Sequence, residues 1–241
     1  MNLIVCKNYD EMSKKAAEVI AECINEAGEQ LVSFPCGDTP IGMVNVFTEM
    51  VNEGKVDISR TRFVQLDEWV GLGGQDHGSC IKFLNDNLLN KLHHSFFDYH
   101  LINGLASDIN NECTRLNEYI EHFGPLALSV LGIGLNGHIG FNEEGVDFEN
   151  NAHIIPLSET TRKVMSKYFD REHVLDYGIT QGPKQIMAAK TVILLASGAH
   201  KASILKKTFK GPVTNAVPSS ILQQHNNCFV IVDTEAAKEL R

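Results

Sequence analysis

The chain lacks most features that would assign it quickly. None of its cysteines, Cys6, Cys23, Cys36, Cys80, Cys113 and Cys228, forms a CxxC pair, which argues against a structural zinc site and a thioredoxin-type centre. Unpaired, scattered thiols in 241 residues fit reduced cysteines and a cytoplasmic protein. No long apolar run is present. The longest, Leu126–Leu135, holds Ser129, Gly132 and Gly134 and falls far short of the roughly 20 residues that cross a bilayer, so no membrane role is expected. The first residues, MNLIVCKNYDEM, lack the basic and apolar blocks of a secretory signal. Positive charge is scarce: 21 Lys and Arg face 30 Asp and Glu, a net charge of −9. The basic cluster Lys201 to Lys210 reads as a solvated helix face, so no nucleic-acid partner is expected. Low-complexity linkers, internal repeats and heptads are also missing, and one domain over residues 1–241 is the default.

What is present is alternation. Short runs rich in Val, Ile, Leu and Phe predict strands at Leu3–Cys6, Gln30–Phe34, Arg62–Leu66, Leu126–Ile133, Thr191–Ala196 and Cys228–Val232. Amphipathic segments between them predict helices at Tyr9–Asn25, Thr39–Asn52, Ser79–Leu92, Asp108–His122, His200–Phe209 and Ser219–His225. This order predicts an α/β fold: an open, mainly parallel sheet with helices on both faces, a Rossmann-like three-layer sandwich. Residues 145–180 are polar, with a helix candidate at Ser158–Phe169 and little strand signal, so a helical lid is one expectation and an immobile excursion the other.

Ligands of open α/β sheets bind beyond the carboxyl ends of the strands. Three such places carry chemistry. After Gln30–Phe34, Gly37 permits a tight turn, Thr39 can cap the next helix and Pro40 fits its first position, which together make an anion site. Asp38 in that turn opposes a phosphate unless its carboxylate points away. After Arg62–Leu66 come Asp67 and Glu68, acids that strand formation does not require. Asp67 suits a partly desolvated base, or else a helix cap. After Leu126–Ile133 comes Gly134-Leu135-Asn136-Gly137-His138-Ile139-Gly140-Phe141-Asn142-Glu143, where His138 is a natural proton carrier and Glu143 can orient it if the loop folds back. Lys201, beyond the strand Thr191–Ala196, could hold a phosphate or lie on the surface. Cys36 has no neighbouring histidine to activate it, and Asp76-His77 and His93-His94 have no third ligand at metal spacing.

The blocks CGDTPIGM, FVQLDEWVGL, LGIGLNGHIGFNEEG, TTRKVMSKYF and ASGAHKA, in this order, resemble the glucosamine-6-phosphate deaminase/isomerase family. LDEWVGL, GSCIKFL and NAVPSSILQQH are closer to its galactosamine-6-phosphate branch. The resemblance implies opening, isomerisation and deamination of a 2-amino-2-deoxyhexose 6-phosphate to a ketose 6-phosphate and ammonia, with no metal or other cofactor. It makes Asp67 the enolisation base, His138 the ring-opening acid and base, and Glu143 its orienting carboxylate. Lys201 and the Gly37–Thr39 turn become the phosphate cradle. Three positions depart from the family: Asn136 stands where Asp is frequent, Lys167 where an Arg helps bind phosphate, and Asp38 where the residue is small. A neutral Asn136 leaves Glu143 as the charge that sets the pH optimum. The alternatives are a 6-phosphogluconolactonase, which lacks the Phe141-Asn142-Glu143 sequence, and a non-catalytic sugar-phosphate sensor, which carries a DNA-binding segment ahead of the domain. The only partner this implies is a small sugar phosphate, and the oligomeric state, a homo-oligomer included, stays open.

Overall fold

The computed structural model describes residues 1–26, 28–165, 167, 169 and 175–240. In chain order the elements are β1 (Asn2–Cys6), α1 (Tyr9–Asn25), β2 (Gln30–Ser33), α2 (Ile41–Asn52), β3 (Thr61–Val64), β4 (Asp67–Trp69), α3 (Cys80–Asn87), β5 (Asp98–His100), α4 (Ile109–Phe123) and β6 (Leu128–Leu131). There follow β7 (His153–Pro156), α5 (Glu159–Met165), β8 (Tyr177–Thr180), α6 (Pro183–Met187), β9 (Thr191–Ala196), α7 (Ala202–Lys210) and β10 (Cys228–Asp233). Seven strands form a parallel sheet in the order β1-β10-β9-β6-β2-β3-β5.

The continuous apolar strands are explained by burial on both faces. In β9, Val192, Leu194 and Ala196 point into one core, while Ile193 and Leu195 point into the other. The second core is closed by α1, whose Met12, Ala16, Ile20 and Ile24 recur every fourth residue and are all buried. Each large side chain on that stripe contributes about 1.5–3 kcal/mol by leaving water. Asn8 caps α1 by accepting from the Glu11 N–H, and Asp108 caps α4 by accepting from the Asn111 N–H.

The expected sheet is therefore present, with corrections at its margins. Strand β5 and the three-stranded antiparallel sheet β4-β8-β7 were not predicted. That second sheet corrects the reading of 145–180 as helical with little strand signal: β8 pairs with β4 on one side and with β7 on the other. The helix candidate Ser158–Phe169 begins as α5, while Ser166 and Tyr168 lie outside the described residues. Ser219–His225 is a 3₁₀ turn over Pro218–Gln224 rather than an α-helix, and Pro40 is the N-cap of α2, with no capping bond from Thr39. No described helix is long and apolar enough to cross a membrane.

After β2 the chain runs outward to β3 and β5. It then returns to place β6 on the other side of β2. The loops after β2 and β6 thus diverge at a topological switch point, where an open sheet offers a crevice.

Candidate active site

The crevice is a cavity of about 380 Å³, and the described residues lining it include Cys36, Gly37, Asp38, Thr39, Asp67, Asn136, His138, Lys167 and Lys201. Eight of the nine expected site residues are therefore brought to one cavity wall. Glu143 is the exception: it lies behind His138 and does not line the cavity.

Asp67 lies beyond the end of β3, as expected, and is also the first residue of β4, paired with Thr180 of β8. It is 7% exposed. Burial pushes its carboxyl up to about 7, against the lowering effect of a hydrogen bond from Cys80. Cys80 Sγ lies 3.6 Å and Cys36 Sγ 4.0 Å from Asp67 Oδ1. Glu68 corrects the view that neither acid serves the fold. It is fully buried, and its carboxyl accepts from the backbone N–H groups of Trp69, Cys80 and Ile81 at 2.9, 3.0 and 2.8 Å and from Gln65 Nε2 at 3.2 Å. It fastens the start of α3 to β4, and that sets Cys80 beside Asp67.

The loop after β6 folds back on itself. Gly134 is required by a close approach: a Cβ there would stand 2.2–2.6 Å from three ring atoms of His138. His138 Nδ1 lies 2.7 Å from Asn136 Oδ1, and Asn136 Nδ2 donates to Glu143 Oε2 at 2.7 Å. A carboxylate can only accept, so the amide presents its NH₂ to Glu143 and its oxygen to the imidazole. Nδ1 then carries the proton, and Nε2 is left as the ring's acceptor. Glu143 Oε2 is itself 3.9 Å from Nδ1, so the loop does fold back, but the direct partner of His138 is Asn136. Burial lowers the His138 pKa, Glu143 opposes this and Lys201 adds to it.

Glu143 is held from the far side by α5. Its Oε1 accepts from the Ser158 N–H at 3.3 Å, from Ser158 Oγ at 3.2 Å and from Thr161 Oγ1. Ser158 Oγ also accepts from the Thr161 N–H at 3.1 Å, capping α5. Asn142 Nδ2 donates to Ile139 O and Gln181 O, both at 2.9 Å, and Phe141 packs on Trp69 with ring centroids 4.7 Å apart. The histidine loop is thereby tied to the small sheet.

At the turn after β2, Gly37 has φ 112°, a left-handed conformation that disfavours a side chain. Tyr9 Oη accepts from Gly42 N at 2.9 Å and donates to Asp38 O at 3.0 Å, bracing the turn from α1. The Asp38 carboxylate meets Lys167 Nζ at 2.5 Å, so two of the three departures from the family face each other as an exposed ion pair. Lys201 is the N-cap of α7 and donates to Ile133 O at 2.6 Å. Burial first, and then Lys167, lowers its pKa to about 8. The preceding turn is fixed by Asp233, which accepts from Ser197 Oγ at 2.5 Å and from Gly198 N at 3.0 Å.

Sequence reasoning missed Tyr9, Glu68, Cys80, Ser158, Thr161 and Asp233. Two of these carried a signal. Ser158, three residues ahead of Thr161, has the pattern of a helix cap, and Asp233 ends an apolar strand, where an acid does not serve packing.

A sequence profile of the family described as glucosamine-6-phosphate isomerases/6-phosphogluconolactonase matches residues 7–231. The glucosamine-6-phosphate deaminase of Clostridium perfringens (strain 13 / Type A) is 39% identical over 242 residues, covering 100% of both chains. That of Thermoanaerobacter sp. (strain X514) is 39% identical over 238 residues, 98% of this chain and 94% of the relative. A solved structure of a monomeric glucosamine-6-phosphate deaminase superposes with a TM-score of 0.93 at 31% identity, over 99% of this chain and 100% of the other. The 6-phosphogluconolactonase of Trypanosoma brucei, with a TM-score of 0.76 at 19% identity over 100% and 98% of the two chains, shares the fold. With its length matched almost end to end, the chain belongs to the glucosamine-6-phosphate deaminase/isomerase family.

Proposed function

We propose that the chain is an enzyme that isomerises and deaminates glucosamine 6-phosphate to fructose 6-phosphate and ammonia. The observation that carries this reading is one cavity lined by a buried carboxyl with a pKa near 7, an oriented imidazole and two lysines. His138 Nε2 takes the anomeric hydroxyl proton and returns it to the ring oxygen, which opens the sugar. The C1 aldehyde acidifies the C2 proton, and Asp67 removes it. Delivery of a proton to C1 leaves an imine at C2. Water adds there, ammonia leaves, and the ketose remains. Lys201, Lys167 and the Gly37–Thr39 turn hold the phosphate. Asp67, carrying the proton it took from C2, is placed to return it to C1, and the substrate carbonyl is itself the electrophile, so no lysine Schiff base is required.

The relatives are named for the glucosamine epimer, and the galactosamine branch that LDEWVGL, GSCIKFL and NAVPSSILQQH resemble has no support among them. Part of that last segment braces the histidine loop, since Ser219 N donates to Gly137 O and Gly145 N to Asn215 O, both at 2.9 Å. The test incubates the protein with glucosamine 6-phosphate and galactosamine 6-phosphate in parallel, counting ammonia and identifying the ketose. Ammonia from the glucosamine epimer, lost in Asp67→Asn, is expected. Ammonia from neither sugar rejects the proposal, and hydrolysis of 6-phosphogluconolactone then becomes the next assay.

A further inference from the structure

Cys36, Asp67 and Cys80 come from three separate elements: the turn after β2, the first residue of β4 and the first residue of α3. Their ligand atoms all lie within 4.8 Å of one another. Cys80 Sγ is 3.6 Å and Cys36 Sγ 4.0 Å from the same oxygen, Asp67 Oδ1. Tetrahedral zinc holds sulfur at about 2.3 Å and carboxylate oxygen at about 2.0–2.2 Å, which places such ligands about 3.6–3.8 Å apart. The two sulfur–oxygen edges, 3.6 and 4.0 Å, are close to that spacing, and the two sulfurs lie within 4.8 Å of each other, so a modest approach of the thiols closes one face of a tetrahedron.

The surroundings suit an ion as well as the spacing does. Cys36 and Asp67 line the cavity, so an ion can arrive from solvent. Cys80 is fully buried behind them, and Glu68 anchors its backbone N–H at 3.0 Å, which fixes its place beside Asp67. Two thiols and a carboxylate favour a soft or borderline cation over magnesium or calcium.

We propose that Cys36, Asp67 and Cys80 form a three-ligand site for a thiophilic divalent cation, with zinc the best fit, and that its occupation silences the site. Binding replaces two S–H bonds with two metal–sulfur bonds and releases those two protons, together with any proton on Asp67, to solvent, with no change of oxidation state. A cation on Asp67 Oδ1 withdraws the carboxylate from the C2 proton, so binding and turnover exclude each other. This inhibitory half rests on Asp67 being the enolisation base; the binding half does not.

The experiment titrates the reduced full-length protein with Co²⁺, which reports thiolate ligation through a near-ultraviolet charge-transfer band and tetrahedral geometry through visible bands, and then displaces it with Zn²⁺. One Co²⁺ per chain with both signatures is expected. Cys36→Ser and Cys80→Ser each weaken binding at least ten-fold, and Cys228→Ser leaves it unchanged. Absence of the charge-transfer band, or an undiminished affinity and band intensity in both site variants, overturns the site. Should a variant not fold, X-ray absorption of the zinc-loaded wild type counts the ligands: two sulfurs support the site, and none or one rejects it. Deaminase activity is then measured with Zn²⁺ and after a chelator. Inhibition reversed by the chelator and reduced in Cys36→Ser is expected. Thiolate ligation with undiminished turnover overturns the inhibitory half alone, and so separates it from failure of the site.

Discussion

Asp67 shows how one residue's burial fixes both its chemistry and its cost. Its folded pKa is raised from an ordinary 3.8 to about 7. The stability linked to this group is therefore fully present below the unfolded pKa and is lost as pH rises through about 7. Asp67→Asn removes the buried charge, so its melting temperature should gain on the wild type between pH 5 and pH 8, by an increment worth no more than about 3 kcal/mol. A constant gap across that range would contradict the raised pKa. The same variant should lower kcat by about 10²–10⁴-fold, the range for loss of a general base. Asn136 offers a complementary test. Exchanging its amide for a carboxylate, Asn136→Asp, puts a charge 2.7 Å from His138 Nδ1 and within like-charge range of Glu143. The limb of the pH–rate profile that reports His138 should move up by about one unit, since a close carboxylate favours imidazolium. An unchanged profile would count against the relay. The sequence made Asp67, His138 and Glu143 legible because acids and a histidine beyond apolar strands have no packing role. It could not show that Asn136 stands between His138 and Glu143, because that depends on how sharply a glycine-rich loop folds back.

At the scale of elements, periodic helices and strands set in apolar runs were legible, and short strands of mixed polarity were not. Helix α1 repeats its buried residues on four successive turns, and β9 is apolar from Val192 to Ala196. Strands β4, β5, β7 and β8 have only three or four residues each, too few to show a period, and β4 begins with two acids. What makes β4 a strand is its pairing with β8, more than a hundred residues along the chain. Glu68 was misread for the same reason: the N–H groups it satisfies include those of Cys80 and Ile81 on α3. Glu68→Ala leaves the buried N–H groups of Trp69 and Cys80 without their acceptor, at about 1–3 kcal/mol each, and frees the half-buried N–H of Ile81. At about 2–4 °C per kcal/mol, the melting temperature should fall by several degrees or more. Glu68→Gln, which keeps an acceptor oxygen, should recover part of the loss. Equal melting temperatures for the wild type and Glu68→Ala would remove the fastening role assigned to this carboxylate.

Over the whole molecule, a net charge of −9 repels a sugar phosphate, so the few cations at the cavity must overcome the general field. Lys201 can do so only while protonated, and its pKa is held near 8. KM for the sugar phosphate should therefore rise above about pH 8, while phosphate binding at that pH should take up a proton, measurable from the buffer dependence of the binding heat. Lys167 is engaged by Asp38 at 2.5 Å, so an arriving phosphate must compete with a carboxylate already in place. Asp38→Ser should tighten binding of inorganic phosphate several-fold, most clearly at low salt, because exposed charges are screened as ionic strength rises. The consequence reaches beyond the turn. Lys167, Thr161 and Ser158 all belong to the excursion between β7 and β8, and it contacts the site both through Glu143 and through Asp38. A phosphate that takes Lys167 from Asp38 would tie this excursion to the ligand itself. Backbone amides of residues 157–165 should then exchange hydrogen more slowly with fructose 6-phosphate bound, and in Asp38→Ser that protection should appear at lower ligand concentration. Unchanged exchange in both proteins would mean that the excursion neither closes over the ligand nor answers to the Asp38–Lys167 pair.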